Sequence, residues 1–146
     1  QHPVMSSLKR IAFEGSEPGS TGAELGLLGL RVFAGLAMAL AHGIGKVPPS
    51  GGFVGAVEDI GLPAPLFFAW AAGLSELVGG LFLAAGFLTR FAAFFLLVTM
   101  LVAAFGRHGG EGFAAQEMAL LYAAATLPFL LAGCGRVGVD QLFRQG

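Results

Sequence analysis

The chain has 146 residues, 55% hydrophobic and 12% charged, with a mean hydropathy of +0.79 and a formal net charge of −1. That length holds one domain. Soluble domains carry about 25% charged residues, and so small a protein has too little interior for this much apolar side chain, so lipid must cover the excess; without a basic stripe, nucleic acid is excluded as a partner.

Residues 1–22 read as a polar, glycine-rich tail carrying Lys9 and Arg10. It has no apolar stretch ahead of a cleavage site and is not a secretory signal peptide. Met5 reads as the natural start, with Gln1 to Val4 an addition to it. From Leu25 to Ala41 the chain is apolar except for Arg31, which predicts a first span over 24–43. A loop of breakers follows (Gly43, Gly45, Pro48, Pro49, Gly51, Gly52), then an amphipathic stretch from Phe53 to Ile60 that reads as one or two interfacial turns.

Pro63 and Pro65 open the second span, 64–88, in which Glu76 is the one ionisable residue. Thr89-Arg90 reads as a tight turn into the third span, 89–106. A loop with Arg107, His108 and Glu111 leads to the fourth, 113–133, which holds Glu117 and a kink expected at Pro128. Residues 135–146 are a short basic tail. The expected fold is therefore all-α, a four-helix transmembrane bundle over 23–134. About 20 apolar residues cross roughly 30 Å of hydrocarbon, so the first and third spans must borrow flanking residues. Lys9, Arg10, Arg90, Arg136 and Arg144 fall on one side, Lys46 and Arg107 on the other, which predicts that both termini are cytosolic.

Small residues four apart (Ala37, Ala41, Gly45; Ala69, Gly73; Ala72, Gly80 around Glu76; Ala115, Ala119, Ala123) predict close helix contacts. Phe91, Phe94, Phe95 and Phe105 suit the acyl chains. No flavin or nucleotide loop, metal-spaced Cys/His cluster or nucleophile elbow occurs, so no metal is expected. Cys134 is the single cysteine and excludes an intrachain disulfide. It reads as a small apolar residue near a helix end.

Ionisable residues inside a span cost about 2.5–3.5 kcal/mol each on insertion scales, so they pair or line a cavity. Arg31 counts as roughly 9 Å from its edge of the bilayer and Glu76 as roughly 16 Å from the other. Two readings stand open: an Arg31–Glu76 ion pair, or Arg31 reaching the headgroups with Glu76 protonated. His42 and Glu117 match in depth near the outer surface. Arg31 and His42, eleven residues apart, share a face, so the four groups would form an alternating line through the bundle. Such a line suits proton movement or a polar ligand head such as a quinone carbonyl. Trp70 and Tyr122 read as belt or packing residues.

The ordered set His42-Gly-Ile-Gly-Lys46, Gly61-Leu62-Pro63, Glu76 and Gly86-Phe-Leu-Thr-Arg90 resembles the DoxX family of small four-helix membrane proteins, over about Glu24 to Leu131. The resemblance implies the bacterial inner membrane and a component of a quinone-linked oxidoreductase system, with relatives that act in assembly of other membrane proteins. It matches His42, Lys46, Glu76 and Arg90. Arg31 and Glu117 are added from depth.

The candidate catalytic residues are therefore His42, Glu76 and Glu117, and the candidate ligand-binding residues Arg31, Lys46 and Arg90. The implied ligand is a quinone or other apolar small molecule, with a partner redox subunit supplying the electron carrier. A homo-oligomer, a non-enzymatic scaffold or assembly role, and a small transporter or proton pathway remain as alternatives.

Overall fold

The computed structural model describes residues 19–144, and the expected tail with Lys9 and Arg10 lies outside the described residues. All regular structure within that range is helical: α1 (Thr21–Lys46), α2 (Gly51–Asp59), α3 (Pro65–Ala85), α4 (Thr89–Arg107), α5 (Phe113–Ala132) and α6 (Asp140–Arg144). Of these, α1, α3, α4 and α5 are long and apolar enough to cross a membrane. They run antiparallel in chain order. One end of the bundle, here the proximal end, gathers the start of α1, the α3–α4 turn and α6. The distal end gathers Lys46, α2 and the α4–α5 loop.

Only 17–33% of each span is buried within the protein. Phe33, Phe67, Phe94, Phe95, Phe105 and Leu121 stand exposed, as do Phe91 and Leu131. Water would not tolerate so continuous an apolar surface, and acyl chains solvate it. The interior is made from Met38, Leu83, Leu96, Met100 and Phe129, with Ala93, Ala104, Ala119 and Ala123 filling the narrow places. Ser20 and Ser50 cap α1 and α2 by accepting the amides of Ala23 and Phe53 at 3.3 and 3.2 Å.

Helices α1 and α3 meet backbone to backbone. A Cβ added at Gly35 would stand 2.5 Å from the Gly80 carbonyl oxygen, one at Gly80 2.7 Å from the Gly35 oxygen, and one at Gly73 2.7 Å from the Lys46 oxygen. Gly43 presses the same way on Leu77 and Glu76. In lipid, glycine faces of this kind let two helices gain dispersion contacts that larger residues would prevent. The row in use on α1 is thus Gly35, Ala39, Gly43, all buried, whereas Ala41 and Gly45 of the expected row are exposed.

Three of the spans contain a π-helical stretch: Met38–Gly43 in α1, Ser75–Gly79 in α3 and Val102–Arg107 in α4. A π turn carries an extra residue, so the helix beyond it is rotated by about 100° relative to an uninterrupted α-helix. Two other boundaries differ from expectation. The α3–α4 turn is Gly86 to Leu88, both in the left-handed region at φ 69° and 44°, and Thr89 and Arg90 open α4 rather than forming the turn. The segment after α5 is no loose tail: Asp140 is buried and α6 docks on the bundle. Helix α5 continues past Pro128 to Ala132.

The seam makes glycine substitutions diverge in sign. Gly80→Ala should destabilise the protein in detergent by on the order of 1–3 kcal/mol, because its methyl meets backbone. Gly26→Ala, with nothing within 4 Å, should be neutral or stabilise by up to about 1 kcal/mol. Thermal melting of the two purified variants checks this, and equal melting shifts would contradict the seam.

Candidate functional site

The distal half of the bundle holds its most buried ion pair. Lys46 Nζ donates to both Glu76 carboxylate oxygens, at 2.8 and 2.7 Å. The Glu76 side chain is 2% exposed and that of Lys46 31%. Each partner is delivered by the α1–α3 seam: Gly43 lies against the backbone of Glu76, and Gly73 against the carbonyl of Lys46. The Lys46 ammonium also sits 5.3 Å from the centre of the Phe53 ring, so α2 closes over the pair with an aromatic face. One turn below Lys46, His42 meets Tyr122 of α5 edge-on, ring centres 5.5 Å apart at 77°. Beside Glu76, the Ser75 and Thr99 hydroxyls lie 3.0 Å apart and tie α3 to α4.

The expected Arg31–Glu76 pair is not formed. Depth counting placed the start of α3 level with the end of α1, but Gly73, not Pro65, is level with that end. Eight residues of α3, roughly 12 Å, project beyond Lys46 and are met by α2. Glu76 is therefore level with Gly43, and Arg31 lies roughly 15 Å away, level with Gly86. Arg31 is 2% exposed and does not reach the headgroups either. Its Nη1 donates to the Cys134 carbonyl and, at 2.8 Å, to the Val137 carbonyl, with Gly86 and Gly138 packed on the guanidinium.

The continuous line of four charges is also absent. His42 and Glu117 form no pair: Glu117 is exposed and has no side-chain hydrogen bond among the described residues, and His42 faces Tyr122 instead. The π turn at Met38–Gly43 separates the faces of Arg31 and His42, which an unbroken α-helix would have aligned. Arg90, a candidate ligand-binding residue, is half-buried at the proximal end, where its Nη2 donates to the Leu131 carbonyl at 2.8 Å. Of the six candidates the structure joins Lys46 and Glu76, sets His42 next to them in the chain, and leaves Glu117 at the distal edge. Arg31 and Arg90 hold the proximal end together.

Two important residues went unread in the sequence. Asp140, 2% exposed, accepts the Leu88 amide at 2.7 Å, the Thr89 amide at 3.0 Å and the Thr89 hydroxyl at 2.7 Å, capping α4 from the C-terminal segment. Glu24 accepts the Arg136 amide at 2.9 Å and fastens the start of α1 to the same segment. Tyr122, read as a belt or packing residue, lies in the middle of α5 and packs against His42. Among the described residues no group of three His, Cys, Asp or Glu side chains is arranged to hold a metal ion.

With this geometry in view, comparison with known proteins is informative. The DoxX family model matches residues 26–109, more than half of the chain. The chain belongs to the DoxX family. It is also 39% identical over 79 residues to an uncharacterized protein of Haemophilus influenzae, an alignment covering 49% of this chain and 59% of that protein. No solved structure matches. The DoxX match takes in Lys46, Glu76 and the Gly86–Arg90 segment, and ends before α5 and the C-terminal clasp. This DoxX chain is a multi-pass membrane protein, and its bilayer explains why Lys46 and Glu76 are held within hydrogen-bond distance.

Breaking such a pair leaves one uncompensated charge in a low-dielectric interior. Lys46→Met alone should cost on the order of 3 kcal/mol, and adding Glu76→Leu should restore most of it, because the double variant has no unpaired charge left. Detergent melting of both singles and the double measures this, and strictly additive losses would contradict the coupling.

Cys134 gives a second expectation. Burial, reinforced by the nearby Asp140 carboxylate, pushes its thiol above the ordinary cysteine range. The thiolate is the reactive form, so maleimide labelling of the folded protein should be slow at neutral pH and should rise only above the pH at which a free thiol responds. Labelling of the unfolded chain at an ordinary thiol's rate is the control; equal rates in both states would refute it.

Proposed function

We propose that the protein is an inner-membrane component of a quinone-linked oxidoreductase system, binding a quinone-like ligand at the Lys46–Glu76 site. One observation carries the reading. The Lys46–Glu76 pair is the place where a charged donor, an acid and an aromatic face converge inside the membrane-spanning region, and the lysine keeps 31% of its side-chain surface open. Lys46 is an ammonium donor that can turn from Glu76 to a ligand carbonyl. Phe53 supplies a face on which a flat ring can stack. Glu76 then keeps the site neutral overall, so that an uncharged head enters without leaving a bare charge in lipid.

The chain offers no flavin or metal motif of its own, so its part is binding and positioning, with a partner redox subunit carrying the electrons. The excess of Lys and Arg at the proximal end favours that end as the cytosolic one, with both termini inside the cell. Lys46 and Glu76 would then open toward the outer leaflet.

A short-chain benzoquinone bearing a photoreactive azide tests this on purified protein in nanodiscs. The expected result is labelling confined to peptides containing Phe53, Lys46 or Glu76, removed by excess unlabelled quinone and lost in the Lys46→Met, Glu76→Leu double variant. Uniform labelling of lipid-facing peptides that survives both treatments would overturn the reading.

A further inference from the structure

Tyr122 is the chain's one tyrosine, and it stands in the wrong place for an interfacial residue. It is the tenth of the 20 residues of α5, roughly 14 Å from the helix start, at the middle of the span. Belt tyrosines sit at span ends, where the hydroxyl reaches headgroups and water. Here the hydroxyl has no hydrogen-bond partner among the described residues, although the ring is half-buried. The same is true of the His42 ring nitrogens.

Other polar side chains near this depth have partners, the exposed Glu117 excepted. Thr126 donates to the Ala123 carbonyl, Thr99 to the Phe95 carbonyl, and Lys46 to Glu76. An unmet hydroxyl away from water costs several kcal/mol in hydrocarbon, so a polar tip kept there, and kept accessible, calls for an acceptor from outside the chain. The edge-on contact at 77° fixes the Tyr122 ring against His42 without engaging either polar tip. His42 is joined directly to Gly43, which rests on Glu76, and it precedes Lys46 by four residues.

We propose that Tyr122 is a ligand-binding residue of the Lys46–Glu76 site: its hydroxyl donates a hydrogen bond to a carbonyl oxygen of the bound molecule, with His42 holding the ring edge-on. The inference rests on the reading of Lys46–Glu76 as a ligand site and extends it from α1 and α3 to α5. A flat dicarbonyl would then be gripped at two ends, by Lys46 on one oxygen and Tyr122 on the other. Carbonyl oxygens also occur in phospholipid esters, and the experiment separates the two sources.

Isotope-edited infrared spectra of the protein in nanodiscs, with either a carbonyl-13C quinone or carbonyl-13C phospholipid, report the hydrogen bond directly. Wild-type protein should lower the frequency of one labelled quinone carbonyl, Tyr122→Phe should return it to the unbound value, and quinone affinity should fall roughly tenfold. Because the chain has one tyrosine, biosynthetic 3,5-difluorotyrosine changes the donor at Tyr122 alone; its stronger O–H acidity should lower the band further, with no need for a substitution to fold. A band indifferent to both changes, while the azidoquinone still labels the Lys46 peptide, overturns the role of Tyr122 and leaves the quinone reading standing. The Tyr122-dependent shift appearing with labelled phospholipid and absent with quinone supports the carbonyl-donor role and overturns the quinone reading.

Discussion

Backbone contact between α1 and α3 is the constraint on which the distal half of the protein depends. Gly35, Gly43, Gly73 and Gly80 remove the side chains that would hold the two helices apart. Hydrocarbon outside the bundle gives apolar residues no reason to prefer the interior, so association has to come from close van der Waals packing and from polar groups that need partners. The seam supplies both at once. By bringing Gly43 against Glu76 and Gly73 against Lys46, it puts a cation and an anion within 2.7 Å of each other, at a depth where neither would be stable alone.

The proximal end solves the same problem with different chemistry. Among the described residues Arg31 and Arg90 have no carboxylate hydrogen-bonded to them; they are held by the carbonyls of Cys134, Val137 and Leu131, at and beyond the C-terminal end of α5, where the helix dipole is negative. The one buried carboxylate there, Asp140, is spent on the amides and hydroxyl that open α4, where the dipole is positive. Glu24 ties in the start of α1. Arg31, Arg90, Asp140 and Glu24 all engage backbone groups that helix ends leave over, which is a fastening task, although Nε of Arg31 and of Arg90 stays buried without a hydrogen-bond partner among the described residues. The distal half differs because Lys46 is still partly open and because Tyr122 and His42 have no hydrogen-bond partner among the described residues.

What the sequence made legible follows from what each pattern physically determines. The four spans were readable because roughly 20 apolar residues have few other fates, and the lipid-facing Phe91, Phe94, Phe95 and Phe105 followed from their bulk. Which small-residue row would pack was not readable. Gly35/Ala39/Gly43 and Ala37/Ala41/Gly45 have the same four-residue spacing and lie on nearly opposite faces, and spacing alone ranks them equally. The Lys46–Glu76 pairing was hidden by the assumption that α3 starts level with the end of α1, which the eight-residue overhang of α3 defeats. Asp140 was hidden for a different reason: its partners are main-chain amides at Leu88 and Thr89, and backbone partners carry no mark in a sequence.

The π turns explain why the polar groups of the distal half are set apart from those of the proximal end. An unbroken α-helix would keep Arg31 and His42 on one face, and a charge line through the bundle would result. The extra residue in Met38–Gly43 instead leaves Arg31 turned into the proximal clasp and His42 turned toward α5. The matching irregularity at Ser75–Gly79 contains Glu76 itself. A π turn is a less favourable local geometry than the α-helix it interrupts, and it persists where tertiary contacts select it. Here two such turns lie across the glycine seam from each other. Their common effect is to separate the polar groups that fasten the proximal end from the Lys46–Glu76 pair and His42 in the distal half.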